Sequence, residues 1–192
     1  MASYIYISSP KSDPAAGSPL TDPLFGPVPT LGACVPNLRR NVTRGDWVFV
    51  VSGRRSTHQQ YLIGGIKVSE KISALAAFHR FPDYRMKLDE SGNVVGNIPV
   101  DEQGLKHPLD AHSVDGFDRR VENYLVGDVS VQLNGEREVA AGRAQTLPFL
   151  SSLRAKRANR VIDIIGRASR LDEAEVEKVL AWFEKIKQEA NG

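Results

Sequence analysis

From Tyr4 to Leu133 the apolar residues fall in short blocks; after Pro148 they recur at helical spacing. Tyr4 to Ile7 is a β-rich run and predicts a first strand. Trp47 to Val51 and Tyr61 to Val68 are denser runs of β-formers, the first announced by the Gly45-Asp46 turn signal. Gly64-Gly65 inside the second run predicts a bulge or a close backbone approach. Ser73 to Phe81 reads as a short helix, with Ser73 as cap, Ala74, Leu75 and Phe78 on one side and Pro82 as its stop. Val94 to Val100 and Glu122 to Leu133 are further strands. The latter is expected to be split or bulged at Gly127-Asp128.

Beyond Pro148 two helices are predicted. The first runs from Ser151 or Ser152 to about Ser169, with Leu153, Ala158, Val161, Ile162 and Ile165 recurring along it. The second runs from about Asp172 to Gln188, with Asp172 and Glu175 at capping-box spacing and Val176, Val179, Leu180, Phe183 and Ile186 as its stripe. Together they read as a helical hairpin docked on the preceding domain or on a second copy of the chain. The organisation expected is a domain over 1–147 and a hairpin over 148–192. Residues 9–30, with Pro10, Pro14, Gly17, Pro19, Pro23, Gly26, Pro27 and Pro29, form a long loop without a packing pattern.

Hydrophobic residues make up 41% and charged residues 25% of the 192, the balance of a chain that folds around an apolar core. The single Cys34 leaves no internal disulfide and no zinc cluster, and fits a reducing cytoplasm. No apolar run is long enough to span a bilayer. MASYIYISSPKSDP has neither the basic nor the apolar region of a secretory signal. The net charge of +2 conceals segregation. Basic residues exceed acidic ones from Asn37 to Lys87, and the balance reverses from Leu88 to Glu138. From Arg143 to Arg170 only Asp163 opposes Arg143, Arg154, Lys156, Arg157, Arg160, Arg167 and Arg170. Such basic segments either contact phosphate or form a solvated surface with internal partners.

The chemistry-bearing residues concentrate around the two central strands. Arg39, Arg40, Arg54 and Arg55 carry guanidinium forks that match phosphate oxygens. Ser52, Gly53, His58 and Tyr61 belong to the intervening loop SGRRSTHQQ and its exit; a glycine there admits a close ligand, and Tyr61, Trp47 or Phe25 offers a stacking surface. By its alternation in the strand, Trp47 is read as core. Asp83, Tyr84 and Arg85 bring a carboxylate, a phenol and a guanidinium together, able to read a base edge or to tie down a loop. His107, Asp110 and His112 are metal-ligand types within six residues, but their spacing matches no specific zinc signature, and a turn with exposed histidines is the commoner arrangement. Cys34 reads as a structural thiol. No cofactor motif, phosphate loop or nucleophile elbow is present.

TLGACVPNLRRNVTRGDWVFVVSG resembles the core of the nucleotide-modification-associated domains, second type. That pattern runs TLA-C-KP-IRR, then GDW and a strand ending in a small G-G-S loop. Thr30, Leu31, Cys34, Pro36, Arg39, Arg40, Gly45, Asp46 and Trp47 stand at the matching places, and Val35 departs where a lysine is usual. The likeness continues through FPDYRMK, GNVVGNIPVDEQG, HPLDAH and VENYLVGD, over residues 4 to 132. More distantly, GDWV followed by YLIGGIKV is similar to PUA, ASCH and EVE barrels, which bind nucleic acid or modified bases. The resemblance implies an α+β chain, mainly a β PUA-like barrel with peripheral helices and the C-terminal hairpin. It implies binding of a nucleotide or nucleic acid, with or without a modified base, through a barrel-mouth pocket and basic loops. Two alternatives stay open: an enzyme on a nucleotide or modified base using His58, Asp83, His107, Asp110 or His112, with or without a metal; and a protein-interaction module working through the hairpin.

Overall fold

Two of the expected strands, near the N-terminus and at the GDW motif, lie side by side in parallel. The computed structural model describes residues 2–10, 12–17 and 20–192. Along the chain come β1 (Ser3–Ile7), a 3₁₀ turn (Pro14–Ala16), β2 (Thr30–Leu31), α1 (Pro36–Asn41), β3 (Trp47–Val51) and β4 (Leu62–Ile72). There follow α2 (Ala74–Arg80), a 3₁₀ turn (Pro82–Tyr84), β5 (Lys87–Leu88), β6 (Val94–Val95), α3 (Phe117–Val121) and β7 (Tyr124–Gln132). The chain closes with α4 (Glu136–Leu153), α5 (Val161–Ile165), β8 (Ala168–Leu171) and α6 (Glu173–Asn191). Met1, and Lys11, Ser18 and Pro19 of the expected 9–30 loop, lie outside the described residues.

The fold is α+β. The strands hydrogen-bond as one mixed six-stranded sheet in the order β2-β7-β4-β3-β1-β8, with β5 and β6 as a separate hairpin. β2 and β8 are the outer strands, and no closed barrel forms among the described residues. Closure requires the first and last strands to pair. Here β2 spans two residues and pairs with β7, while β8 pairs with β1.

The chain divides into two compact units. One comprises 1–20, 46–67 and 130–192. In it β1 runs parallel to β3, and β3 antiparallel to β4. The register shifts between Val50 and Val51, leaving Ile63 unpaired with β3 beside the glycine pair, so the expected bulge is present. The close approach is present too: a Cβ on Gly65 would lie 2.3 Å from the Phe49 ring. Phe49 stacks on Trp47 and on Phe183 of α6. The α6 stripe is therefore covered by its own unit, with Val176, Val179, Trp182, Phe183 and Ile186 buried. Asp172 and Glu175 form the expected capping box.

The other unit comprises 21–45 and 68–129. Its core gathers Ala74, Ala77, Ile98, Val100, Tyr124 and Val126. Ser73 caps α2 by accepting from the Ala76 N–H at 3.1 Å. That helix buries Ala74 and Ala77 and leaves Leu75 exposed, so the expected Leu75 face is corrected. Val94 to Val100 keeps only Val94–Val95 as strand, followed by isolated bridges at Ile98 and Val100. β7 passes through Gly127-Asp128 unbroken.

The C-terminal hairpin is also corrected. Its first helix begins earlier, at Glu136, and contains Pro148; the expected boundary at 147–148 lies inside it. Residues 154–160 are irregular, and a short helix and β8 precede α6. The sequence concealed α4 because it buries Gly142, Thr146 and Leu150, two of them small, so no apolar stripe shows. A Cβ on Gly142 would meet Leu133 at 2.6 Å, and the Thr146 hydroxyl accepts the Leu62 N–H at 2.9 Å. These contacts hold α4 tight against the start of β4. No described helix is long and apolar enough to cross a membrane.

Candidate functional site

The loop between β3 and β4 is closed at its neck by Ser52, which is buried. Its hydroxyl accepts the Tyr61 N–H at 3.0 Å, and its own N–H donates to the Tyr61 carbonyl. Gly53 admits backbone, since a Cβ there would sit 1.9 Å from the Ser9 carbonyl oxygen. Ser52 and Gly53 thus shape the loop, and the residues after them face two cavities.

The first cavity, of about 480 Å³, is walled by Pro14, Ala15, Tyr61, Leu133, Val139 and Ala140, with His58, Gln132, Asn134, Glu136 and Arg143 as polar lining. The second, of about 320 Å³, carries Arg54, Arg55, His58, Arg143 and Arg160, with Leu147, Pro148 and Val161 as apolar lining. His58 and Arg143 border both.

Arg143 is a fixed wall rather than a free ligand. Its Nη2 lies 2.9 Å from both oxygens of buried Asp13, Nη1 donates to the Gln59 carbonyl at 2.5 Å, and the guanidinium covers the Tyr61 ring at 4.8 Å. Burial, together with the Asp13 carboxylate, pushes the Tyr61 phenol up to about 12, against the pull of Arg143. Tyr61 therefore stays neutral through the physiological range.

The second cavity is electropositive. Asp163 is held below the usual carboxylate range, chiefly by the paired Arg160 and also by the fields of Lys156 and Arg54. Arg160 grips it with two hydrogen bonds of 2.6 Å. Arg54 and His58 are exposed, and Arg55 is half-buried.

The other expected ligands belong to the second unit and are engaged within it. Arg39 is fully buried and donates to the carbonyls of Ala33, Cys34, Arg120 and Asn123. Its guanidinium is thus committed to backbone carbonyls of its own unit. Arg40 is exposed, and its carbonyl accepts from Lys71. Tyr84 exchanges hydrogen bonds with the Val28 backbone. Arg85 donates to the Phe78 carbonyl and lies 4.0 Å over that ring, while Asp83 stays exposed. Tyr84 and Arg85 thus tie down a loop.

Asp110, buried, accepts from Arg120 at 2.9 Å and from His112 Nδ1 at 2.6 Å. Burial opposes its ionisation, but those bonds more than offset it and hold the carboxyl below the usual range. The His107 Nδ1 accepts the Leu109 N–H. Among the described residues no three His, Cys, Asp or Glu side chains gather as metal ligands.

The motif around Cys34 is likewise turned inward. The Asp22 carboxylate accepts the backbone N–H groups of Gly32, Ala33 and Cys34 and the Asn97 amide. Successive N–H groups of this kind form an anion-binding nest; here an internal carboxylate fills it. Val35 supports the turn at φ 46, a strained value for a β-branched residue. Burial and Asp22 raise the Cys34 thiol far above its ordinary range, so it is no nucleophile.

Asp13, Glu136 and Asn134 were missed as site residues. None belongs to a motif shared with Tyr61, and folding brings them to the same cavity. No protein-family model, curated protein or solved structure matches this chain.

Proposed function

We propose that this chain binds a nucleotide or nucleic acid through the two cavities that share His58 and Arg143. The observation that carries the reading is their contrast: one is cationic, with Arg54, Arg55 and Arg160, and the other is walled mainly by apolar side chains and Tyr61. Phosphates suit the first and a base suits the second. The likeness of the TLGACVPNLRR and GDW segments to nucleotide-modification-associated domains supports the same class, a PUA-like recognition domain on an open sheet. It extends the reading to modified bases. Arg39, Arg40, Asp83, Tyr84 and Arg85 fall outside this proposal.

The test is oligonucleotide affinity across a salt series for wild type and Arg54→Ala/Arg160→Ala. Each lost phosphate contact should flatten the slope by roughly one unit. Undetectable binding at low salt, or an unchanged slope in the double variant, overturns the reading.

A further inference from the structure

We propose that the apolar cavity selects guanine, with the Glu136 carboxylate receiving the base's two adjacent N–H donors. The inference rests on the nucleotide reading above and specifies its base. Two of the polar groups around that cavity are committed. Arg143 is bound to Asp13 and Gln59, and the Tyr61 hydroxyl is hydrogen-bonded to the Ala15 backbone. Glu138, in the same first turn of α4, accepts the Asn134 N–H at 2.7 Å and faces the Asn191 amide. Glu136 lines the cavity and makes no hydrogen bond or ion pair among the described residues. The single acidic side chain lining this side of the His58–Arg143 wall is therefore uncommitted, while the lining of the other side is rich in arginine.

A ligand that satisfies both sides carries hydrogen-bond donors at one end and negative charge at the other. An ionised carboxylate is acceptor-only and takes two parallel N–H groups. Among the five common bases, guanine alone presents two adjacent donors on its pairing edge, at N1 and the 2-amino group. Adenine and cytosine set a ring acceptor beside the amino group. Uracil and thymine flank a single imide N–H with two carbonyls. Each of these turns a lone pair toward one oxygen of Glu136. His58, bordering both cavities, is placed to lie between the base and its phosphate.

The experiment is calorimetric titration of the full chain with GMP, IMP, AMP and UMP, for wild type and Glu136→Gln. GMP should bind about tenfold or more tighter than AMP or UMP. IMP, which lacks only the 2-amino group, should fall between. Glu136→Gln replaces one acceptor with a donor and should abolish the preference while melting like wild type. Equal affinities for all four nucleotides, or a preference that survives Glu136→Gln, overturns the guanine assignment and leaves phosphate binding standing. Failure of every nucleotide to bind overturns both. The comparison of GMP with IMP needs no variant, so it decides even if Glu136→Gln misfolds.

Discussion

Arg143 reaches Asp13 across 130 residues of sequence, its Nη2 equidistant at 2.9 Å from both carboxylate oxygens. The pair is nearly closed to water on the Asp13 side, where the side chain is 1% exposed. It fixes the Pro14–Ala16 turn and the β3–β4 loop to one guanidinium on α4, and so sets the wall between the two cavities.

Arg143→Ala should leave a buried carboxylate without its counter-charge. The expected loss is about 3 kcal/mol in urea unfolding, with part recovered by adding Asp13→Asn, since removing one partner costs more than removing both. A single variant as stable as wild type would show that the pair contributes nothing to the fold.

Arg39 and Arg40 are adjacent but should behave oppositely. Arg39→Lys cannot reach carbonyls on both sides of its cage with a single ammonium, and stranded buried acceptors should lower stability by about 2 kcal/mol. Arg40→Ala, exposed, should stay within about 0.5 kcal/mol. Thermal melts of the two variants check this. Equal shifts would contradict the burial contrast.

Asp110 makes stability depend on acid. Its folded carboxyl sits below its ordinary value, so its contribution is present above the unfolded value of about 3.9 and is lost as pH falls through the folded one. In acid titrations followed by circular dichroism, wild type should lose stability more steeply below about pH 4 than Asp110→Asn. Superimposable acid limbs would remove the Asp110–Arg120 pair from the account.

Phe183 joins α6 to the sheet through its stack on Phe49, with ring centroids 6.3 Å apart. Truncating a buried phenylalanine typically costs about 3–5 kcal/mol. Phe183→Ala should therefore lower the melting temperature sharply. Unchanged melting would make α6 a loosely held tail.

Local pattern determined much of this chain. Trp47–Val51 is an unbroken run of β-formers after a Gly-Asp turn, and the strand has those limits. Ser73 and Asp172 cap helices because their side-chain oxygens find N–H groups three residues on, a relationship wholly within sequence reach. The Gly64-Gly65 signal also held, since a bulge and a missing Cβ leave the same mark. Tertiary structure decided what spacing could not express. α4 is anchored by Gly142 and Thr146, residues without apolar bulk, so periodicity passed over it and made Pro148 a boundary. Val161 to Ile165 and Ala168 to Leu171 became a short helix and an edge strand because β1 offered an open edge, overriding helical spacing. Arg39 was read as a ligand because a guanidinium suits phosphate. Four carbonyls from two separate segments claim it instead, and only folding brings those segments together. The site arises in the same way: His58, Arg143, Asp13 and Glu136 carry no common motif, and they meet because the sheet and α4 place their loops side by side.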